Sequence, residues 1–91
     1  DVYFVETAET PHKVIVHDAS QLVEFPGFLK EIADQYPELY RTDKSFLANL
    51  DNVVGIDNDD RRLIFPNGDK TDVATRRFHE VKTLVQKHLK S

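Results

Sequence analysis

The side chains best suited to surface chemistry are long cations and imidazoles gathered at three breaks in the hydrophobic pattern. These are Pro11-His12-Lys13, Arg41-Thr42-Asp43-Lys44-Ser45 and Thr75-Arg76-Arg77. Arg and Lys carried on turns can enter a nucleic-acid groove, where they donate to guanine edges or neutralise phosphates. Turns also collect solvated charge without any function, so composition alone leaves both readings open. Catalytic arrangements are poorly represented. His12 and His17 lie five apart on an expected strand, on opposite faces. His79 and His88 lie nine apart on an expected helix, so neither pair converges on a metal. The chain has no cysteine, which removes a disulfide scaffold, a thiolate metal site and a cysteine nucleophile. Metalloprotease, nucleophile-elbow, phosphate-loop and dinucleotide patterns do not occur. Asp57-Asn58-Asp59-Asp60 starts like a calcium loop, but Arg62 and Gly68 stand where that loop requires its glycine and its bidentate glutamate. It reads as a solvated hairpin turn. The expectation is a chain that is not an enzyme and uses no cofactor or metal.

The 91 residues make one domain, spanning 1–91. The net charge is −4, with 12 Lys and Arg against 16 Asp and Glu. That total hides an asymmetry. Residues 1–60 carry four basic groups against 13 acids, a balance of −9, whereas 61–91 carry eight against three, a balance of +5. Nothing approaches the roughly 18 apolar residues needed to span a membrane. The opening Asp1-Val2-Tyr3-Phe4-Val5-Glu6 lacks the basic stretch and small-residue cleavage site of a signal peptide. With no cysteine as well, the expected compartment is the reducing cytoplasm.

The elements that must position the three basic turns are mostly short strands. Val2–Val5, Lys13–His17 and Gln21–Phe25 read as a β-meander. Pro26 suits a first helical turn, and Phe28, Leu29, Ile32, Ala33 and Tyr36 form a helical stripe expected to face the core, ended by Pro37. Residues 39–49 read as two short strands joined by a loop carrying Arg41 to Ser45, followed by a strand at Val53–Ile56. Arg61–Phe65 and Lys70–Ala74 read as a hairpin closed by the two-residue turn that Asn67-Gly68 favours. Phe78, Val81, Leu84, Val85 and Leu89 are spaced for a terminal helix, with Thr75 as its expected N-cap and Lys87, His88 and Lys90 at its negative end.

Three segments in register carry a family resemblance. Tyr3-Phe4-Val5-Glu6-Thr7 with Thr10-Pro11-His12-Lys13, then Leu39 to Asn49 running into Val53-Val54-Gly55-Ile56-Asp57, and finally Val73-Ala74-Thr75-Arg76-Arg77-Phe78 resemble the LytTR DNA-binding domain. The likeness is greatest to the peptide-pheromone, quorum-sensing branch of bacterial response regulators. It implies a mainly β fold, an elongated assembly of small antiparallel sheets with a short internal helix and a C-terminal helix. It also implies sequence-specific binding to direct repeats in promoter DNA by loops in successive major grooves, with a second copy on the DNA. An upstream receiver domain and a sensor histidine kinase would belong to the full-length protein. The residues that match the family's contacts are His12, Lys13, Arg41, Lys44, Ser45, Thr75, Arg76 and Arg77. Among them His12 matches the family's groove-entering histidine, Lys44 a position that contacts a base or a phosphate, and Arg77 the Arg that reads a base edge, although a slip of one residue would exchange the roles of Arg76 and Arg77. Arg41 could equally be a structural residue pairing Asp43 or Glu38. Asp43 departs from the family, where His is common, and an acid there would repel phosphate unless paired. Relatives carry a strand before Tyr3 that this sequence lacks, so the sequence is expected to begin either inside the domain or after a truncation. The other class in play is a small β-rich module that binds a protein or ligand and has no nucleic-acid role.

Overall fold

The computed structural model describes residues 2–90. Eight strands form two antiparallel sheets. β1 (Val2–Thr7), β2 (Lys13–Asp18) and β3 (Leu22–Pro26) make the expected meander, and α1 (Leu29–Gln35) follows. The hairpin β4 (Tyr40–Asp43) and β5 (Phe46–Ala48) returns to the far side of β1, giving the order β3-β2-β1-β5-β4. β6 (Gly55–Asp57), β7 (Arg62–Ile64) and β8 (Lys70–Asp72) form a separate three-stranded sheet. A 3₁₀ turn, Thr75–Arg77, then leads into α2 (Phe78–Leu89). The molecule measures 36 × 29 × 24 Å along its principal axes.

Burial explains the arrangement. β1 lies at the centre of the larger sheet and is covered on both faces, so Tyr3, Phe4 and Val5 are all buried, as a doubly covered strand requires. On one side Val5, Val14 and Leu47 meet Leu29 and Ile32 of α1 and Leu39. On the other, Phe4 and Ala48 meet Leu63, Phe65 and Val73 around the smaller sheet and Val81 and Val85 of α2. The register of β1 against β2 slips between Val2 and Phe4, and Tyr3 joins Phe4 in this second cluster. Phe65 stacks on Tyr3 with ring centroids 5.7 Å apart and lies 5.2 Å from Phe4. His17 closes the edge of the cluster. Its ring stacks on Phe4 at 4.1 Å, and its Nε2 contacts the Glu6 carboxylate at 2.5 Å. No helix among the described residues is long and apolar enough to cross a membrane.

Five local expectations change, the first being that Pro26 ends β3 instead of opening α1. Phe28 and Tyr36 are about half exposed rather than core, because α1 is only seven residues long. Its flanking cap positions, Phe28 and Tyr36, fall outside the helical register that buries Leu29 and Ile32. The Asn67-Gly68 turn has three residues instead of two. Phe65 and Asp69 pair, the Gly68 N–H donates to the Phe65 carbonyl at 2.9 Å, and Gly68 takes the left-handed position at φ 90°. Pro66, with its fixed φ, supplies the first central residue of a type I turn and starts the turn one position earlier. Thr75 is not the N-cap of α2, since the Arg77 N–H donating to the Ala74 carbonyl at 2.9 Å closes a 3₁₀ turn and moves the cap to Arg77. On α2 itself Val81 and Val85 are buried, whereas Leu84 and Leu89 of the expected stripe remain exposed.

Candidate nucleic-acid interface

The sheet order brings the three basic segments to one end of the molecule. The turn joining β1 to β2 and the turn joining β4 to β5 emerge from the same end of the larger sheet, tied where the Thr7 N–H donates to the Ser45 carbonyl at 3.1 Å. With neighbouring strands ~4.8 Å apart, the two turns are centred about 10 Å from each other. The third segment joins on the outer side of β4. The Ala74 N–H donates to the Thr42 carbonyl at 2.8 Å, and the buried Thr42 hydroxyl donates to the Asp72 carbonyl at 3.1 Å. His12–Lys13, Lys44–Ser45 and Thr75–Arg77 therefore stand in that order across one end of the fold.

Each turn is built by its own side chains. His12 occupies the left-handed region at φ 64°, unusual for a residue with a Cβ, and the Ala8 N–H bonding the Lys13 carbonyl at 3.0 Å closes the loop around it. The imidazole is exposed and edge-on to the ring of Phe28, with centroids 5.1 Å apart. In the second turn Asp43 acts as an architect. Its Oδ2 accepts from the Ser45 N–H at 3.2 Å, a local bond that bends the chain after β4. Arg41, on the strand rather than in the loop, reaches over the same turn and donates from Nε to the Asp43 carbonyl at 3.1 Å and from Nη2 to the Lys44 carbonyl at 2.8 Å. It binds the loop's main chain, not the Asp43 or Glu38 carboxylate considered from sequence. Lys44 projects from this braced turn and is exposed.

Arg77 is half-buried and donates from Nη1 to the Arg41 carbonyl at 3.4 Å, whereas Arg76 is exposed. Beside them the Tyr40 hydroxyl is held above the usual phenol range, chiefly by burial and then by its hydrogen bond to Glu80, with Arg77 opposing the shift. Arg41, Asp43, Lys44, Ala74, Arg76 and Arg77 line one open cleft of about 310 Å³. Four cations face it against one acid. The remaining excess of positive charge in the second half of the chain is partly spent elsewhere, with Arg62 paired to Asp72 at 3.0 Å and Lys70 to Asp57 at 3.3 Å on the smaller sheet. Among the described residues, no group of three or more His, Asp or Glu side chains is placed to hold a metal ion.

All eight residues singled out from sequence thus lie in or beside these turns. Two neighbours were not. Thr42 was overlooked although it alternates with Arg41 and Asp43 along a strand, which turns its side chain inward. Phe28 was assigned to the core, and the clue to its exposure was its position immediately before the first helical residue.

Comparisons with known proteins identify the family. Residues 1–86 match the family model of the LytTr DNA-binding domain. Accessory gene regulator protein A of Staphylococcus epidermidis is 31% identical over 81 residues, covering 89% of this chain and 34% of the relative. The protein of the same description from Staphylococcus aureus is 28% identical over the same length. The chain therefore spans about a third of the length of these curated relatives. In fold it is similar to the LytTr DNA-binding domain of a putative methyl-accepting/DNA response regulator from Bacillus cereus, with a TM-score of 0.74 at 19% identity, covering 93% of this chain and 80% of that one. Matched along nearly its whole length by the family model, and folded like a solved member, the chain belongs to the LytTr DNA-binding domain family.

Proposed function

We propose that the chain is the sequence-specific DNA-binding output domain of a bacterial transcriptional response regulator acting in the cytoplasm. The observation that carries this reading is the convergence of Arg41, Lys44, Arg76 and Arg77 on one cleft, beside the His12–Lys13 turn, at one end of the larger sheet. Both helices have their buried residues against the cores, so the surface offered to a duplex consists of turns. In this reading His12 and Arg77 meet base edges in successive major grooves. Lys13, Lys44, Ser45, Thr75 and Arg76 donate to phosphates, and Arg41 holds the Lys44 turn in shape. Phosphate contacts fix register, whereas base contacts select sequence. A domain of this size suits one half of a direct repeat, with a second copy on the other. The greater length of the relatives leaves room for an upstream receiver domain answering to a sensor histidine kinase. The surplus of acid elsewhere on the chain would keep non-specific binding weak.

The test is equilibrium binding to a duplex enriched from a random-sequence pool and to a scrambled control, across a range of salt. Arg77→Ala is expected to cost about 1–3 kcal/mol on the enriched duplex and relax the preference at one position. Lys44→Ala should weaken both duplexes alike and reduce the slope of log affinity against log salt by about 0.9, the value for one phosphate contact. A chain that binds proteins or ligands instead would show neither enrichment nor steep salt dependence, and that result would end the proposal.

A further inference from the structure

Neither buried core requires an aromatic residue at Phe28. The residue is 51% exposed and belongs to neither buried cluster, and α1 is seated on the sheet by Leu29 and Ile32 instead. Yet its backbone is held in place. The Phe28 N–H donates to the Glu31 carboxylate at 3.1 Å, and the preceding Gly27 N–H donates to the carbonyl of His12 at 2.9 Å. Lys13, next to His12, pairs with Pro26 in the β2–β3 register. The turn bearing His12 and the segment bearing Phe28 are thus one backbone-bonded unit, with the phenyl ring edge-on to the imidazole at 5.1 Å and 69°.

We infer that Phe28 is a specificity-determining residue that reads the 5-methyl group of a thymine next to the base met by His12. This rests on the DNA-binding reading above and extends it. The major groove displays one apolar group among its hydrogen-bonding edges, the thymine methyl, and a phenyl ring can recognise that group by contact alone. A ring kept half in solvent, locked beside an imidazole at the end of the sheet proposed to face DNA, is arranged for that contact. The edge-on packing also limits the imidazole's rotation, so the pair would present a donor and an apolar surface at a fixed separation.

The experiment compares the parent chain with Phe28→Ala, Phe28→Leu and His12→Ala on the duplex enriched from a random pool, synthesised with deoxyuridine replacing each thymidine in turn. Uracil keeps every hydrogen-bonding group and lacks the methyl. At one position the parent is expected to lose about fourfold in affinity, the factor for about one buried methyl-sized group. Phe28→Ala should be weaker by a similar factor on the thymine duplex and indifferent to uracil at that position. Phe28→Leu should keep part of the discrimination, and the salt slope should be the same for the parent and both Phe28 variants, because no phosphate contact changes. Thermal midpoints and far-ultraviolet circular dichroism confirm that the variants compared are folded. Retention of the parent's full uracil penalty in Phe28→Ala overturns the inference, and so does a parent with no uracil-sensitive position. His12→Ala should lower affinity on both duplexes while keeping the uracil penalty. Failure of the parent to enrich any sequence refutes the underlying DNA-binding reading instead, and the two failures are therefore separable.

Discussion

Two buried threonines, one with a hydrogen-bond partner and one without, allow a controlled test of how the third basic segment is held. The Thr42 hydroxyl donates to the Asp72 carbonyl at 3.1 Å and has no exposed surface. That of Thr71, next to Asp72 on β8 of the smaller sheet, is also buried and has no partner among the described residues. Valine has nearly the shape of threonine, so Thr→Val at either site exchanges a hydroxyl for a methyl with little change in packing. At position 42 the exchange removes one hydrogen bond and covers the Asp72 carbonyl with a methyl group. Because Asp72 lies at the surface, water recovers part of that loss, and a cost of about 1–2 kcal/mol follows. For a domain of this size each kcal/mol moves the thermal midpoint by roughly 4–8 °C, so Thr42→Val should melt about 5–15 °C lower. At position 71 the exchange removes an unsatisfied buried hydroxyl, and the variant should match the parent or gain up to about 1 kcal/mol. Urea unfolding with an unchanged slope measures both differences. The loss at position 42 should also weaken binding to the enriched duplex, because Asp72 leads directly into the turn bearing Arg76 and Arg77. Equal stabilities for the two variants, or a larger loss at position 71, would refute the argument that the Thr42 bond secures this segment.

Two further outcomes follow from local geometry. His12→Gly removes the penalty for a side chain at φ 64° and should stabilise the fold by up to about 1 kcal/mol while reducing affinity for the enriched duplex; thermal melts and binding isotherms on the same sample report both. Asp57→Asn addresses acid stability. Hydrogen bonds from the Asp60 and Asp59 N–H groups, with Lys70 at 3.3 Å, hold the Asp57 carboxyl below its ordinary value. A depressed pKa stabilises the fold fully above the unfolded value of about 3.9, and that contribution disappears as pH falls through the lower folded value. The parent should therefore be more stable than Asp57→Asn at neutral pH, and the two urea midpoints should converge below about pH 4.

Most of the architecture was legible because its signals are local. A continuous β-rich apolar run marked β1, Val14 and Val16 on one face marked β2, the Val81 and Val85 spacing marked α2, and Asn58-Asp59-Asp60 marked the turn between β6 and β7. The Asn49 side chain accepts from the Asp51 N–H at 3.2 Å and starts a 3₁₀ turn. The family resemblance supplied what periodicity could not, the gathering of His12, Lys44 and Arg77 into one region. Three of the errors share a cause. Phe28, Tyr36 and Thr75 each sit at the end of a short helix, where a shift of one residue changes which face a side chain occupies, and tertiary bonds decide that shift. Arg41 shows the same limit. Its type and position were consistent with a carboxylate partner, but a loop already closed by Asp43 offered its two carbonyls at the right separation.

The position of β1 between β2 and β5 also has a kinetic consequence. Its pairing with β2 closes a hairpin a few residues long, whereas its pairing with β5 joins Val5 to Leu47 across 42 positions of sequence. Loop closure of that length is paid for before any contact rewards it, so the meander is expected to form early and the β4–β5 hairpin to dock late. The bond from Thr7 to Ser45 depends on that late step, and the 3₁₀ turn reaches Thr42 only once β4 is in place. A nascent or thermally loosened chain would then retain much of its strand content while lacking a continuous basic end. Competence to bind would be lost before secondary structure, and the last contacts to form would decide when the domain becomes active.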